Sequence, residues 1–419
     1  MYENKKILIL GAAKSGIAVA KLLVGKNNEI ILSDLKELPS STAQELENMG
    51  IKIMITFNQC DLIDSSYDLV IKNPAIMMTS EITKKLNKLH IRTENEMEVA
   101  YHFLPENVTI IGVTGSNGKT TTTTIIYELL KRLNINVILG GNIGYPLSEV
   151  LKGVQKESVL LLEISDHQLC DIHDFKTNIS VITNLCPTHL DYHGSYENYK
   201  KAKKKIFNLH TSNDLAILNH ANEDCLELSK DILSKKVYFN NFENYYDNNY
   251  IYLHGEKYLN INNICLQGEH NYENILAALL VVEQFGLDKD IVVDFLKTFS
   301  GVEHRLEYVA NKNGIEYYND SKSTNPTATI TALKTFTKPI HLILGGLDRN
   351  QDFNELNDYI NYVKKIYAIG EVTDKVANYA SNLNIPCERC YNLVTAMEKI
   401  HQNVQRGDVV LLSPGSSSQ

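Results

Sequence analysis

No apolar run in the 419 residues approaches the roughly 18 that a membrane-spanning helix needs. The opening MYENKKILIL has no signal-peptide layout and runs straight into a predicted strand. Positive charge is also short. Lys and Arg total 41 against 50 Asp and Glu, for a formal net charge of −9. General attraction to nucleic acid or an anionic membrane is therefore not expected, and an anionic substrate must be held by local cations. The seven cysteines are scattered and odd in number, which predicts reduced thiols in a cytoplasm rather than a disulfide framework. Cys387 and Cys390 form one C-x-x-C with no second pair at metal spacing, so neither zinc nor redox use is expected there. Short-period repeats and low-complexity segments are missing too. What remains is the composition of a globular protein, 43% hydrophobic and 22% charged, with a length that predicts two or three domains.

One pattern recurs three times: an apolar strand, a Gly-rich turn, then a helical segment. The first is KKILILGAAKSGIAVAKLLV, in which Ile7–Leu10 precede Gly11 and Gly16, followed by EIILSD ending in Asp34. This is the layout of a dinucleotide-type βαβ unit with an acidic residue for a ribose or base, although Ala13 replaces the middle glycine. The second block centres on VTIIGVTGSNGKTTTTTIIYELLKRL. The third holds HLILGGLDRN, IYAIG and DVVLLSPGSSSQ. Strands alternating with helices predict α/β domains with mostly parallel sheets covered on both faces. Boundaries are expected near residues 94 and 300, giving domains over 1–94, 95–300 and 301–419.

GVTGSNGKTT carries the strongest local chemistry. A strand over Val108–Val113 leads through Gly115, Ser116, Asn117 and Gly118 to Lys119, Thr120 and Thr121, which open a helix. Backbone N–H groups at a helix N-terminus bind phosphate oxygens, the lysine meets the β/γ charge, and the threonine hydroxyl can ligate Mg²⁺. The spacing departs from the common phosphate loop, which has glycine where Val113 stands.

This T-G-S-N-G-K-T resembles the ATP loop of the Mur ligases and their relatives, the folylpolyglutamate and cyanophycin synthetases. The resemblance runs over essentially the whole chain, through GNIGYP, ITNLCPTHLDYHGSYENYKKAK, GEHNYENILAA, GVEHRLEY, YNDSKSTNP, LGGLDRNQDF and LLSP. GAAKSG and NDSKSTN favour the D-glutamate-adding members, and the D-N-P-R stretch of the diaminopimelate- or lysine-adding ones is not seen. The resemblance implies a Rossmann-like N-terminal domain for a uridine-nucleotide substrate, a P-loop ATPase-type central domain, and a Rossmann-like C-terminal domain for the amino acid. It implies a cytoplasmic amide ligase that uses ATP, with UDP-N-acetylmuramoyl-L-alanine and D-glutamate as the other substrates; a monomer is expected. The rivals are a sister ligase for another amino acid and a non-catalytic ATP-binding homologue.

The resemblance also assigns roles. Thr120, Glu163, His189 and Lys203, the last as a carbamate formed with CO₂, would hold two Mg²⁺. Asn274, Arg305 and Asp320 would join the phosphate loop at ATP. Lys14, Ser15, Asp34, Asn142 and Ser165 would meet the muramoyl nucleotide. Lys322, Thr324, Arg349 and Ser418 would hold D-glutamate, whose two carboxylates need fixed cationic or hydroxyl donors. His193 and Asp191 are read as structural. Three departures stand out. The family's E-x-S-S-F-Q-L reads Glu163-Ile164-Ser165-Asp166-His167-Gln168-Leu169, Ala75 replaces a usual glycine, and after Ser413 a terminal helix that should cover the sheet is expected to be missing.

ENYKKAKKKIF poses a separate question, because only one of its five lysines faces inward. With Ser195 as N-cap, about 100° per residue puts Tyr199, Ala202, Ile206, Phe207 and Leu209 on one face, with Lys203 among them. Lys201, Lys204 and Lys205 are expected in solvent and Lys200 at the edge.

Overall fold

A computed structural model describes residues 1–302 and 306–417; Arg305 and Ser418 lie outside them. The chain forms two compact units. The first comprises Met1–Pro187, Tyr192–Leu259 and Glu273–Val292. The second comprises Thr188–Asp191, Asn260–Tyr272 and the described residues from Val293 onward.

Within the first unit, five parallel strands run in the order Lys52–Ile55, Glu29–Asp34, Lys6–Leu10, Leu69–Lys72, Thr93–Glu94. The central strand is apolar at every position after Lys6 because it is covered on both sides. Ile7 and Ile9 enter one core with Val19, Ala20 and Leu23, while Leu8 and Leu10 enter another with Ile63 and Leu86. Each fully buried Ile or Leu of this kind contributes about 1.5–3 kcal/mol of transfer free energy.

The second sheet is also parallel, in the order Lys235–Phe239, Leu215–Asn219, Ile179–Ile182, Thr109–Thr114, Val159–Glu163, Val137–Gly141. The strand Thr109–Thr114 sits between two neighbours, so the loop at its C-terminal end emerges amid several strand ends. A small sheet of Tyr245–Tyr246, Tyr250–Leu253 and Glu256–Asn260 comes later in the chain, its first pair antiparallel.

The second unit carries a sheet ordered Glu307–Lys312, Ile315–Asn319, Val409–Leu412, Ile340–Gly346, Val363–Gly370, Cys387–Tyr391. Its first pair is antiparallel and the rest parallel. Leu342 and Leu411 face one core, Ile343 and Val410 the other. The same alternation settles the C-x-x-C: Cys387 packs against the first core and Cys390 inside the second, on opposite faces of the sheet. Neither forms a disulfide among the described residues.

Candidate functional site: a phosphate loop at the strand ends

The loop Gly115–Gly118 links the strand Thr109–Thr114 to the helix Lys119–Arg132, and two glycines shape it. Gly115 has φ +142°, and a Cβ there would lie 1.9 Å from Thr183 Oγ1. Gly118, the residue before the helix, has φ +83°, and its Cβ would lie 2.2 Å from Asn274 Oδ1. Only glycine fits either place. The neighbouring strand end locks the loop: Asn184 Oδ1 accepts from Asn117 N at 2.9 Å, and Ser116 Oγ is 2.7 Å from Tyr199 Oη. Lys119 Nζ folds back to donate to Gly115 O at 2.8 Å and Ser116 O at 3.0 Å. The helix N-terminus supplies unspent N–H groups and the positive end of its dipole, the ordinary make-up of an anion site.

Three further expected residues gather here. Glu163 ends the adjacent strand and is 1% exposed. Its Oε1 accepts from Asn142 Nδ2 at 2.7 Å, while its Oε2 has no partner among the described residues. A buried carboxylate oxygen left open beside a phosphate loop suits a divalent cation, which would offset the cost of burying it. Thr120 is buried at the helix start, and the buried Thr121 Oγ1 is likewise without a partner among the described residues. Glu163 and Thr120 would therefore fit Mg²⁺, which would supply positive charge to offset that of a bound phosphate group. Asn274 lies within the helix Glu269–Val282, where its Oδ1 accepts from Thr122 Oγ1 at 3.3 Å. It is therefore a residue of the helix face that packs against Gly118.

Lys203 is wholly buried, in the helix Tyr196–Lys204 whose N-cap Ser195 accepts from Asn198 N. Its Nζ donates to Thr114 Oγ1 at 2.9 Å and Gly115 O at 3.0 Å, and lies 3.5 Å from Asp166 Oδ1. Burial pushes the amine down to about 7; Asp166 counters this and nearby Lys119 adds to it. Asp166 is 2% exposed, with Oδ2 2.7 Å from His193 Nε2. Sequence reasoning placed Lys203 on the packing face but missed Asp166, Thr114 and His193 as its surroundings. The acidic departure at 166 was the one available signal.

Two expectations for the lysine run need correction. The α-helix stops at Lys204 and tightens into a 3₁₀ turn over Lys205–Phe207, so the 100° projection fails beyond it. Leu209 is consequently exposed rather than in the core, and Lys205 is half-buried, donating to Cys170 O, rather than solvated. Lys200 sits at the edge in ion pairs with Glu197 and Asp224, Lys204 pairs with Asp231, and Lys201 is exposed.

At the first sheet, Gly16 is obligatory because a Cβ would lie 1.9 Å from Gly11 O. Asp34 Oδ2 accepts from Ala12 N at 2.6 Å, closing the turn that leads to Lys14 and Ser15 in the first turn of their helix. Ala75 has no positive φ and is exposed, so alanine carries no backbone strain there. Ser165 closes a turn with Gln168, its N and Oγ both donating to Gln168 Oε1.

In the second unit, the ends of three adjacent strands bring together Lys322, Thr324, Arg349 and the loop after Leu412. Gly345 N donates to Pro414 O at 2.8 Å and Leu347 N to Ser417 O at 2.9 Å. Thr324 is exposed, Lys322 half-buried, and Arg349 pairs with Asp191 at 3.0 Å. Asp320 is buried and accepts from Leu306 N, Ser323 Oγ and Ser413 Oγ, which makes it an organiser of these loops. His189, with φ 51°, also belongs to this unit and is half-buried.

Residues 113–282 match the Mur ligase middle domain, and residues 304–415 match the Mur ligase glutamate ligase domain. A UDP-N-acetylmuramoylalanine–D-glutamate ligase of Geobacillus sp. (strain WCH70) is 40% identical, covering 100% of this chain and 94% of that protein. The protein of the same name from Macrococcus caseolyticus is 38% identical with the same coverage. Among solved structures, MurF from Acinetobacter baumannii superimposes with TM-score 0.63 at 16% identity, over 98% of this chain and 87% of that one. The UDP-N-acetylmuramate–alanine ligase MurC of Thermotoga maritima gives 0.62 at 20%, over 98% and 96%. The chain belongs to the Mur ligase family.

Proposed function

We propose that this protein is an ATP-dependent amide ligase that joins D-glutamate to UDP-N-acetylmuramoyl-L-alanine in peptidoglycan precursor synthesis, acting as a cytoplasmic monomer. The full-length similarity to D-glutamate ligases at 40% identity carries the reading. Domain limits fall near residues 94 and 300. The loop Gly115–Thr121 binds the triphosphate through backbone N–H groups, and Lys119 leaves its loop carbonyls to meet the β/γ charge. Asn274, Arg305 and Asp320 serve the nucleotide. Thr120, Glu163, His189 and Lys203, as its carbamate, hold two Mg²⁺, which when bound clamp the reacting anions and offset developing phosphoryl charge. Lys14, Ser15, Asp34, Asn142 and Ser165 hold the muramoyl nucleotide; Lys322, Thr324, Arg349 and Ser418 hold D-glutamate. The muramoyl carboxylate attacks the γ-phosphorus and ADP leaves. The D-glutamate amine then displaces phosphate from the acyl carbon and loses a proton. Phosphate release with the muramoyl nucleotide and a panel of amino acids tests this. D-glutamate alone should support turnover; equal rates with L-lysine or diaminopimelate would move the assignment to a sister ligase.

A further inference from the structure

A second cluster of ligating side chains shares no residue with the phosphate loop. Glu98, in the helix Glu96–Tyr101, and His102, just past its end, are four positions apart and so share one face. Asp174 meets them from the loop that follows the strand Val159–Glu163. One ligand atom from each of the three lies within 4.8 Å of the other two. His102 Nε2 is 3.4 Å from Glu98 Oε1 and 3.4 Å from Asp174 Oδ2. That buried nitrogen nevertheless makes no hydrogen bond among the described residues. The distances would permit one, so the direction fails: neither oxygen lies along the nitrogen's axis. A tetrahedral zinc ion, with bonds of about 2.0–2.2 Å to nitrogen and oxygen, holds its ligand atoms about 3.3–3.6 Å apart.

Charge points the same way. Glu94 and Glu98 are fully buried, and the nearby guanidinium of Arg92 pairs with Glu94 and reaches Asp174 Oδ2 at 3.4 Å. Three carboxylates against one guanidinium leave an excess that a divalent cation offsets and a neutral imidazole does not. Glu98 is fixed by the loop itself, accepting from His173 N at 3.0 Å, Asp174 N at 2.8 Å and Phe175 N at 3.0 Å. Such bonds orient a metal ligand in advance. The Asp174 side chain is 50% exposed, which leaves a side open for water as a fourth ligand. We propose that Glu98, His102 and Asp174 bind one divalent cation of the zinc type, a structural site that fastens the helix Glu96–Tyr101 to the loop at His173–Phe175. None of the three is among the residues assigned to Mg²⁺, so the site stands apart from the proposed function.

Cobalt is the probe, because Co²⁺ occupies zinc sites and its visible absorption reports tetrahedral coordination. The full chain, stripped with chelator and kept in excess Mg²⁺, should bind one Co²⁺ with a visible tetrahedral band. Zn²⁺ should displace it and raise the melting temperature. His102→Gln and Asp174→Asn, both at partly exposed positions, should each weaken binding at least about tenfold, since losing a ligand costs no less than losing its outer-shell support. At zinc just sufficient for wild type, neither variant should show the rise in melting temperature. Glu163→Gln should leave the band unchanged. A band that survives in both His102→Gln and Asp174→Asn overturns the site. An intense near-ultraviolet thiolate band also overturns it, by placing the ion on cysteines, as does failure of wild type to bind either metal.

Discussion

Asn142 donates to Glu163 Oε1 at 2.7 Å while Oε2 has no partner among the described residues, so one side chain both orients the carboxylate and keeps half of it available. The two residues close neighbouring strands, Val137–Gly141 and Val159–Glu163, and Gly141 permits their approach: a Cβ there would lie 2.4 Å from Glu163 O.

If Oε2 binds Mg²⁺, Glu163→Gln should weaken metal binding and lower the rate by about 10²-fold or more, as loss of an electrostatic stabiliser does. Asn142→Ala should act more mildly, because the carboxylate stays but turns freely. A Mg²⁺ titration of ADP formation separates the two. The half-saturating concentration should rise several-fold for Asn142→Ala and much further for Glu163→Gln. An unchanged Mg²⁺ dependence in Glu163→Gln would remove the residue from the metal site.

The contact between Gly118 and Asn274 gives a second prediction. Gly118→Ala must place a methyl 2.2 Å from Asn274 Oδ1 at φ +83°, so both sterics and backbone oppose it. The variant should lose ATP binding by isothermal titration and melt lower. Adding Asn274→Ala should recover part of the melting loss, because only the steric component is relieved. Wild-type ATP affinity in Gly118→Ala would show that the loop tolerates a different path.

Much of the fold and the site was legible in the sequence. Unbroken apolar strands such as Ile7–Leu10 announce sheets covered on both faces, and Val409–Leu412 falls where its apolar run predicted. The phosphate loop was legible because glycine, lysine and threonine stand between a strand and a helix. What resisted reading was long-range pairing. Nothing local says that Asp166 meets Lys203, 37 positions on, or that Lys72 meets Asp171 across 99. Helical projection also failed at Leu209, since a one-turn change from α to 3₁₀ leaves no compositional mark.

Within the lysine run, Lys201→Gln with Lys204→Gln should leave the rate within several-fold, since an exposed charge and a surface ion pair with Asp231 contribute little. Lys203→Ala should cost about 10²-fold, Lys203→Arg should fail equally, and a small carboxylate such as formate should partly restore Lys203→Ala. Stability supplies an independent readout. Burial holds Lys203 near 7, below the 10.5 usual for lysine, so between those values the unfolded chain binds a proton that the native one does not. Unfolding free energy therefore rises with pH from about 7 to about 10.5 through this group. Lys203→Met should flatten that rise in melting-temperature profiles. A parallel profile would mean the lysine is not depressed.

The last prediction concerns the ion pair of Lys72 and Asp171, 3.2 Å apart with side chains 0% and 10% exposed. Lys72 ends a strand of the first sheet, while Asp171 comes after the strand Val159–Glu163 of the second, so the pair joins the two sheets of the first unit. The remaining acceptors around Lys72 Nζ are distant: Ile76 O at 3.3 Å, Thr83 Oγ1 at 3.4 Å and Met78 Sδ at 3.4 Å. Removing either charge strands the other in a buried place, which costs about 3–5 kcal/mol, whereas replacing both with apolar groups of similar volume can be nearly neutral. Lys72→Met and Asp171→Leu should each lower the melting temperature clearly, and the double variant should recover more than half of the larger loss. Loss of muramoyl-nucleotide affinity should show the same pattern, because the residues assigned to that substrate lie on both sheets. Additive losses in the double variant would show that the two side chains act separately and that the pair does not fasten one sheet to the other.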